Sequence, residues 1–127
     1  MLTLHFDGSC YPTNTAAYGA FILRDGDTVL KEDSFLEKEF GTNNIAEFAG
    51  LVAGLRYARF HHPKSGIHIF GDSQLVIRQL TGQYACKKDH LIPYLAEAHR
   101  LLEGIQWKAE WIRRNKNTDA DKLSKKR

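Results

Sequence analysis

At 127 residues with 43% apolar content, the chain can fill one compact core, residues 1–127 reading as a single domain, and leaves no room for a second. A formal charge of +3 suits an anionic partner but is too small to establish nucleic-acid binding by itself. Two cysteines, Cys10 and Cys86, exclude a disulfide framework or an all-cysteine zinc site and point to free thiols in a reducing compartment.

Asp7 interrupts the N-terminus before any signal-length apolar run, and no stretch approaches the ~18 apolar residues of a membrane span, so a soluble cytoplasmic protein with no membrane partner is expected. Leu2, Leu4 and Phe6 alternate with Thr3, His5 and Asp7, the period-2 pattern of a strand, which Gly8-Ser9 should end just after Asp7. Tyr18 to Leu23 and Thr28 to Phe40 flank Arg24-Asp25-Gly26-Asp27 and read as an antiparallel hairpin. From Asn44 to Phe60, Ile45, Phe48, Ala49, Val52 and Leu55 recur at helical spacing until His61-His62-Pro63 stops them. Ile67 to Phe70 reads as a short strand, Ser73 to Leu80 as a short helix and Leu91 to Leu102 as an amphipathic helix. Ile105 to Ile112 reads as a strand and Thr118 onward as a basic last helix, so the order is βββαβααβα. The strand, helix and strand around Asn44 to Phe60 predict a right-handed crossover that sets the first and fourth strands parallel and adjacent. Asp7 and Asp72 then share the sheet edge at which open α/β sheets bind ligands.

Each acid near that edge has a local explanation. Asp7-Gly8 is a common turn dipeptide, Asn44 and Glu47 have the spacing of a capping box, Asp72 can cap the helix that follows, and Thr118-Asp119-Ala120-Asp121 matches the box again. Capping gives these residues no reason to converge. The topology nevertheless sends Asp7, Glu47, Asp72 and Asp121 to one end of one sheet, two from strand ends and two from first helical turns. Crowded carboxylates raise each other's pKa unless a cation neutralises them, and oxygen-only ligation favours magnesium or manganese. Two such ions about 3.5–4 Å apart can clamp the entering water and the leaving oxygen of a phosphodiester.

The strings DGSC (Asp7 to Cys10), TNNIAEF (Thr42 to Phe48), GDSQLVI (Gly71 to Ile77) and NTDADKLS (Asn117 to Ser124) resemble, in order and across the chain, the sequence blocks of the type 1 ribonucleases H. The resemblance implies a ribonuclease H-like α/β fold, a five-stranded mixed sheet of order 3-2-1-4-5 flanked by helices, in a short form without the basic protrusion of longer relatives. It implies an endonuclease that cuts the RNA strand of RNA–DNA hybrids and leaves 3′-hydroxyl and 5′-phosphate ends. It further implies two Mg2+ ions, with Mn2+ as a substitute, on Asp7, Glu47, Asp72 and Asp121. Asn43, Asn44 and Gln74 match positions that touch the hybrid across its minor groove, and amide side chains both donate and accept, as reading a ribose 2′-hydroxyl requires. Local capping or turn bonding is the competing role for these three. A monomer is expected.

Some positions depart from the family pattern. The glycine-rich turn after the first strand is replaced by Tyr11-Pro12-Thr13-Asn14-Thr15-Ala16-Ala17, so the substrate-contacting asparagine maps to Asn14 only if one residue is deleted. No histidine lies between Trp107 and Arg127, where many relatives carry one; Arg114 stands in that loop as a permanent cation, either serving the reaction or merely solvated. Gly82 to His90, with Lys87 and Lys88, occupies the place of the protrusion, and Lys122, Lys125, Lys126 and Arg127 either touch phosphates in compensation or simply face water. Trp107 and Trp111 are expected in the core, and His61-His62 reads as a helix end because adjacent residues face apart. A proofreading exonuclease would begin with Asp-x-Glu rather than Asp7-Gly8-Ser9, and an integrase orders its acids Asp, Asp, Glu. A non-catalytic nucleic-acid-binding module on this fold is the alternative; it would be expected to have lost at least one acid, and all four are present.

Overall fold

The computed structural model describes residues 1–12 and 15–126. Along the chain run β1 (Leu2–Tyr11), β2 (Ala16–Asp25), β3 (Thr28–Lys38), α1 (Asn43–His61), β4 (Ile67–Gly71), α2 (Gln74–Leu80), α3 (Ile92–Leu102), β5 (Trp107–Trp111) and α4 (Thr118–Ser124). A single 3-10 turn, Arg114–Lys116, precedes α4. The strands form one five-stranded sheet in the order β3-β2-β1-β4-β5, antiparallel through the first three strands and parallel from β1 through β4 to β5. This is the mixed sheet, order 3-2-1-4-5 with flanking helices, that the resemblance to the type 1 ribonucleases H implies.

Strand alternation puts Leu2, Leu4 and Phe6 on the face that α1 covers, with Phe21 and Leu23 beside Phe6 and Leu4 in register on β2. Phe48, Leu51 and Leu55 of α1, Val76 and Leu80 of α2 and Leu101 of α3 complete this core. Each such side chain contributes about 1.5–3 kcal/mol when fully buried. The other face receives α4, where Arg24 of β2 binds Asp119 at 2.9 Å and Ser9 of β1 donates to the Ser124 carbonyl at 2.7 Å. Among the described residues no helix is long and apolar enough to cross a membrane.

β1 does not stop at Gly8. It continues against β2 through Gly8↔Gly19 to Tyr11↔Ala16, so Asp7-Gly8 is not a turn. Gly8 serves close approach instead: a Cβ there would collide with the backbone of Ala46 and Glu47, and a Cβ on Gly50 would strike the carbonyls of Asp7 and Ala20. These two glycines let the start of α1 lie directly on the strand that carries Asp7. Parallel pairing between β1 and β4 ends at His5↔Phe70, and past that pair the two strands part.

The caps also differ from expectation. Thr42, in an extended conformation, accepts the Ile45 N–H on its hydroxyl at 3.2 Å, so Asn44 is already inside α1 and Glu47 caps nothing. Ser73 accepts the Val76 N–H at 3.2 Å and caps α2 in place of Asp72. Asn117 rather than Thr118 occupies the N-cap position of α4, without a side-chain cap bond, so the Thr118-to-Asp121 box is not used. A residue must lie one step outside the helix with extended backbone for its side chain to reach the free amides, and tertiary placement decides which polar neighbour does so. Trp107 packs half-buried against the core, whereas Trp111 is 41% exposed, because β5 is an edge strand and Trp111 is its last residue. His61 closes α1, His62 follows as its C-cap, and Cys10 and Cys86 are free thiols.

Candidate active site

Three acids meet where β1 and β4 separate. Asp7 lies just past the last parallel pair, Glu47 reaches over from the second turn of α1, and Asp72 follows the last residue of β4. Each offers a carboxylate oxygen within 4.8 Å of the others. Asp121, from the first turn of α4, sits beside them and is held by two cations, Arg114 Nη2 at 3.3 Å and Lys125 Nζ at 3.2 Å. The Ser124 hydroxyl lies 3.3 Å from Asp7 Oδ2 and 2.8 Å from the Asp121 carbonyl, spanning β1 and α4.

The electrostatics of the cluster are unfavourable without a counter-charge. Asp7 is buried, and Glu47 Oε2 is a buried oxygen with no hydrogen-bond partner. Burial pushes the Asp7 carboxyl up to about 6; a hydrogen bond from Glu47 opposes this and the charge of Asp72 adds to it. Burial first, and the Asp7 charge second, hold Glu47 well above the usual carboxylate range. Asp72 is also raised by burial, against the pull of the Asn117 amide and Arg114. For Asp121 burial acts in the same upward sense, but Lys125, the Asp7 hydrogen bond and Arg114 outweigh it and the net shift is downward. Buried charge persists only when paired or ligating. Crowded oxygens, one of them unpartnered, could serve as donors to a hard divalent cation, which would neutralise the acids and occupy the empty lone pairs.

The other residues singled out from sequence flank this cluster. Asn43 (exposed) and Asn44 (half-buried) are the first two residues of α1, one turn ahead of Glu47, and Gln74 (exposed) opens α2 two residues after Asp72. Asn14 and Arg127 lie outside the described residues. Arg114 opens the 3-10 turn with its side chain 70% exposed, and the charge of Asp121 raises its pKa further. Lys87, Lys88, Lys122 and Lys126 are exposed, whereas Lys125 is engaged with Asp121.

Three contributors escaped sequence reasoning. Asn117 is 1% exposed and donates to the Phe6 carbonyl at 2.9 Å and to Asp72 Oδ2 at 3.3 Å. Ser124 is fully buried against Asp7. The Trp111 indole N–H donates to the Asp72 carbonyl at 3.0 Å, and the Ile112 N–H to the Gly71 carbonyl at 2.9 Å, fixing the β5 end to the β4 end. The available signal was position: Asn117 and Ser124 bracket the last sequence block, NTDADKLS.

A five-stranded 3-2-1-4-5 sheet with acids gathered where its central parallel strands part defines the ribonuclease H class of folds. The family model described as reverse transcriptase-like matches residues 5–127, and the chain belongs to the type 1 ribonuclease H family. It is 34% identical over 113 residues to the bifunctional protein Rv2228c of Mycobacterium tuberculosis, covering 86% of this chain and 30% of that protein. The chain thus spans less than a third of that curated relative's length. The solved N-terminal RNase H domain of rv2228c superposes with a TM-score of 0.89 at 30% identity, covering 96% of this chain and 88% of that one. RNase H1 from the halophilic archaeon Halobacterium salinarum gives a TM-score of 0.86 at 31% identity, covering 96% of this chain and 92% of that one. LC11-RNase H1, solved in complex with an RNA/DNA hybrid, is 23% identical with a TM-score of 0.87 over 97% of this chain and 93% of that one, and shares the fold.

Proposed function

We propose that this chain is a divalent-metal-dependent endoribonuclease that hydrolyses the RNA strand of RNA–DNA hybrids, leaving 3′-hydroxyl and 5′-phosphate ends. The observation that carries the proposal is the meeting of Asp7, Glu47 and Asp72 within 4.8 Å, with a buried Glu47 oxygen lacking any partner. Capping does not explain these acids, because Thr42 and Ser73 cap the two helices concerned. Family membership supports the choice of substrate.

In this proposal Asp7, Glu47, Asp72 and Asp121 would hold two Mg2+ ions, for which Mn2+ can substitute. Bound there, the ions would neutralise the acids, lower the pKa of the entering water and stabilise charge on the leaving oxygen. Asn43, Asn44 and Gln74, with Asn14, orient the hybrid through amides that can both donate to and accept from a 2′-hydroxyl. Arg114 brings a permanent positive charge beside Asp121 and promotes turnover. Lys87, Lys88, Lys122 and Lys126 are exposed and contact phosphates. Residues 1–127 act as one domain, as a monomer, in the cytoplasm.

The test is a labelled hybrid incubated with Mg2+ and with chelator, beside matched duplex RNA, duplex DNA and single strands. Cleavage confined to the RNA strand of the hybrid, and lost in chelator, is the expected result. Equal cutting of duplex RNA and hybrid, or cleavage undiminished by chelator, would refute the proposal.

A further inference from the structure

Ser124 is fully buried in the last residue of α4, and its hydroxyl stands between two acids that arrive from different elements. Its Oγ lies 2.8 Å from the Asp121 carbonyl and 3.3 Å from Asp7 Oδ2, and its own carbonyl accepts the Ser9 hydroxyl at 2.7 Å. Helix back-bonding explains the first contact, since a buried serine commonly donates to the carbonyl three residues earlier. It does not explain why the carboxylate of Asp7, 117 residues away in sequence, lies against the same oxygen. Alanine would suit a helix better and would avoid burying a polar atom. Back-bonding gives this buried hydroxyl one partner, and the only side chain against the same oxygen among the described contacts is that of Asp7.

The geometry points to Ser124 as a positioning residue of the metal site. Its single hydroxyl proton, placed between the Asp121 carbonyl and Asp7 Oδ2 and able to turn to either, limits rotation of the Asp7 carboxylate, and the bond from Ser9 to its carbonyl holds α4, and with it Asp121, at a set distance from β1. Asp7 and Asp121 are carried by elements that share no hydrogen-bonded ladder, so their spacing depends on side-chain ties of this kind. Groups that orient metal ligands commonly affect metal affinity or activity by about 10–100-fold when removed. The inference rests on the metal-site proposal above and adds to it a residue that touches neither ion nor hybrid.

The experiment is calorimetric titration of Mg2+ into the substrate-free protein, with steady-state kinetics on labelled hybrid, for wild type, Ser124→Ala and Ser9→Ala. Ser124→Ala should weaken Mg2+ binding and lower kcat by about 10-fold or more, while KM for hybrid stays within about twofold. Wild-type Mg2+ affinity and kcat in Ser124→Ala would overturn the inference, as would a loss expressed in KM alone. If Ser124→Ala fails to fold, Ser9→Ala carries the test: weakened Mg2+ binding supports the inference and unchanged binding overturns it. A wild type that takes up no Mg2+ would overturn the metal-site proposal itself, whereas equal binding by wild type and Ser124→Ala would overturn this inference alone.

Discussion

Asn117 Nδ2 lies 3.3 Å from Asp72 Oδ2 while also 2.9 Å from the Phe6 carbonyl, so one amide nitrogen ahead of α4 joins the backbone of β1 to the aspartate that follows β4. The amide has two protons, one for each acceptor. Asn117→Ala removes both bonds and leaves a buried carbonyl unsatisfied, a loss of about 1–3 kcal/mol. Urea unfolding in chelator should show that loss, together with reduced hybrid cleavage. A stability change below about 0.5 kcal/mol, the range of neutral surface substitutions, would mean that the site does not depend on this tie.

Gly8→Ala tests the seating of α1. The added Cβ meets the backbone of Ala46 and Glu47, which cannot rotate away as a flexible side chain could. We expect a loss of about 1–3 kcal/mol or more from overpacking and a weaker response to Mg2+, because Glu47 is pushed from Asp7. Denaturant midpoints with and without Mg2+ read both effects, and a fully stable Gly8→Ala protein with a normal Mg2+ response would contradict the close approach.

The metal-free protein should gain stability from Asp7 as pH falls. Burial raises the folded Asp7 carboxyl from 3.8 to about 6, so between those values the unfolded chain has lost a proton that the folded chain keeps. The contribution is full below about pH 4, declines as pH rises and is gone above about pH 6; at about 1.4 kcal/mol per pKa unit it amounts to at most about 3 kcal/mol. His5, whose pKa burial lowers, acts in the opposite direction below its ordinary value of 6.5. The informative quantity is therefore the difference between wild type and Asp7→Asn in chelator. Relative to the mutant, wild type should lose stability from pH 4 to 7; parallel curves would remove the basis for a strained acidic cluster.

Arg114→Ala should leave stability within about 0.5 kcal/mol, since an exposed ion pair contributes little. Multiple-turnover cleavage should nevertheless fall on the order of 100-fold if the guanidinium acts in the reaction. Turnover within about twofold of wild type would make Arg114 a solvated loop residue.

The fold was legible because its signals are local and repeated. The alternation of Leu2, Leu4 and Phe6 and the helical spacing from Ile45 to Leu55 each survive in the structure, and the crossover rule then placed Asp7 beside Asp72. Glu47 and Asp121 are legible as acids within the blocks that resemble those of the type 1 ribonucleases H, although neither takes part in a helix cap. Thr42, Ser73 and Asn117 each stand next to another good capping residue, and only tertiary placement separates them. Gly8 looked like a strand breaker because close backbone approach by α1 leaves no mark in the strand's own sequence. Asn117 and Ser124 carry no local signal of their roles because their partners, Phe6 and Asp7, lie 111 and 117 residues away. Alternation alone predicts Trp111 in the core, because it cannot show that β5 closes the sheet at its edge.

Asp72→Asn offers the most direct test of the claim that the acids form a metal site. Ser73 already caps α2, and asparagine keeps the size of the side chain while removing its charge. The measurement is the rise in thermal unfolding midpoint when excess Mg2+ replaces chelator, taken for wild type and mutant. A ligand that binds only the folded state raises its stability by mass action, so wild type should show a clear rise and Asp72→Asn a much smaller one. In chelator the mutant should be at least as stable as wild type, because one of the crowded charges is gone. A mutant with the full Mg2+-induced rise would contradict the assignment of Asp72 as a ligand, and with it the metal site on which the proposed hydrolysis depends.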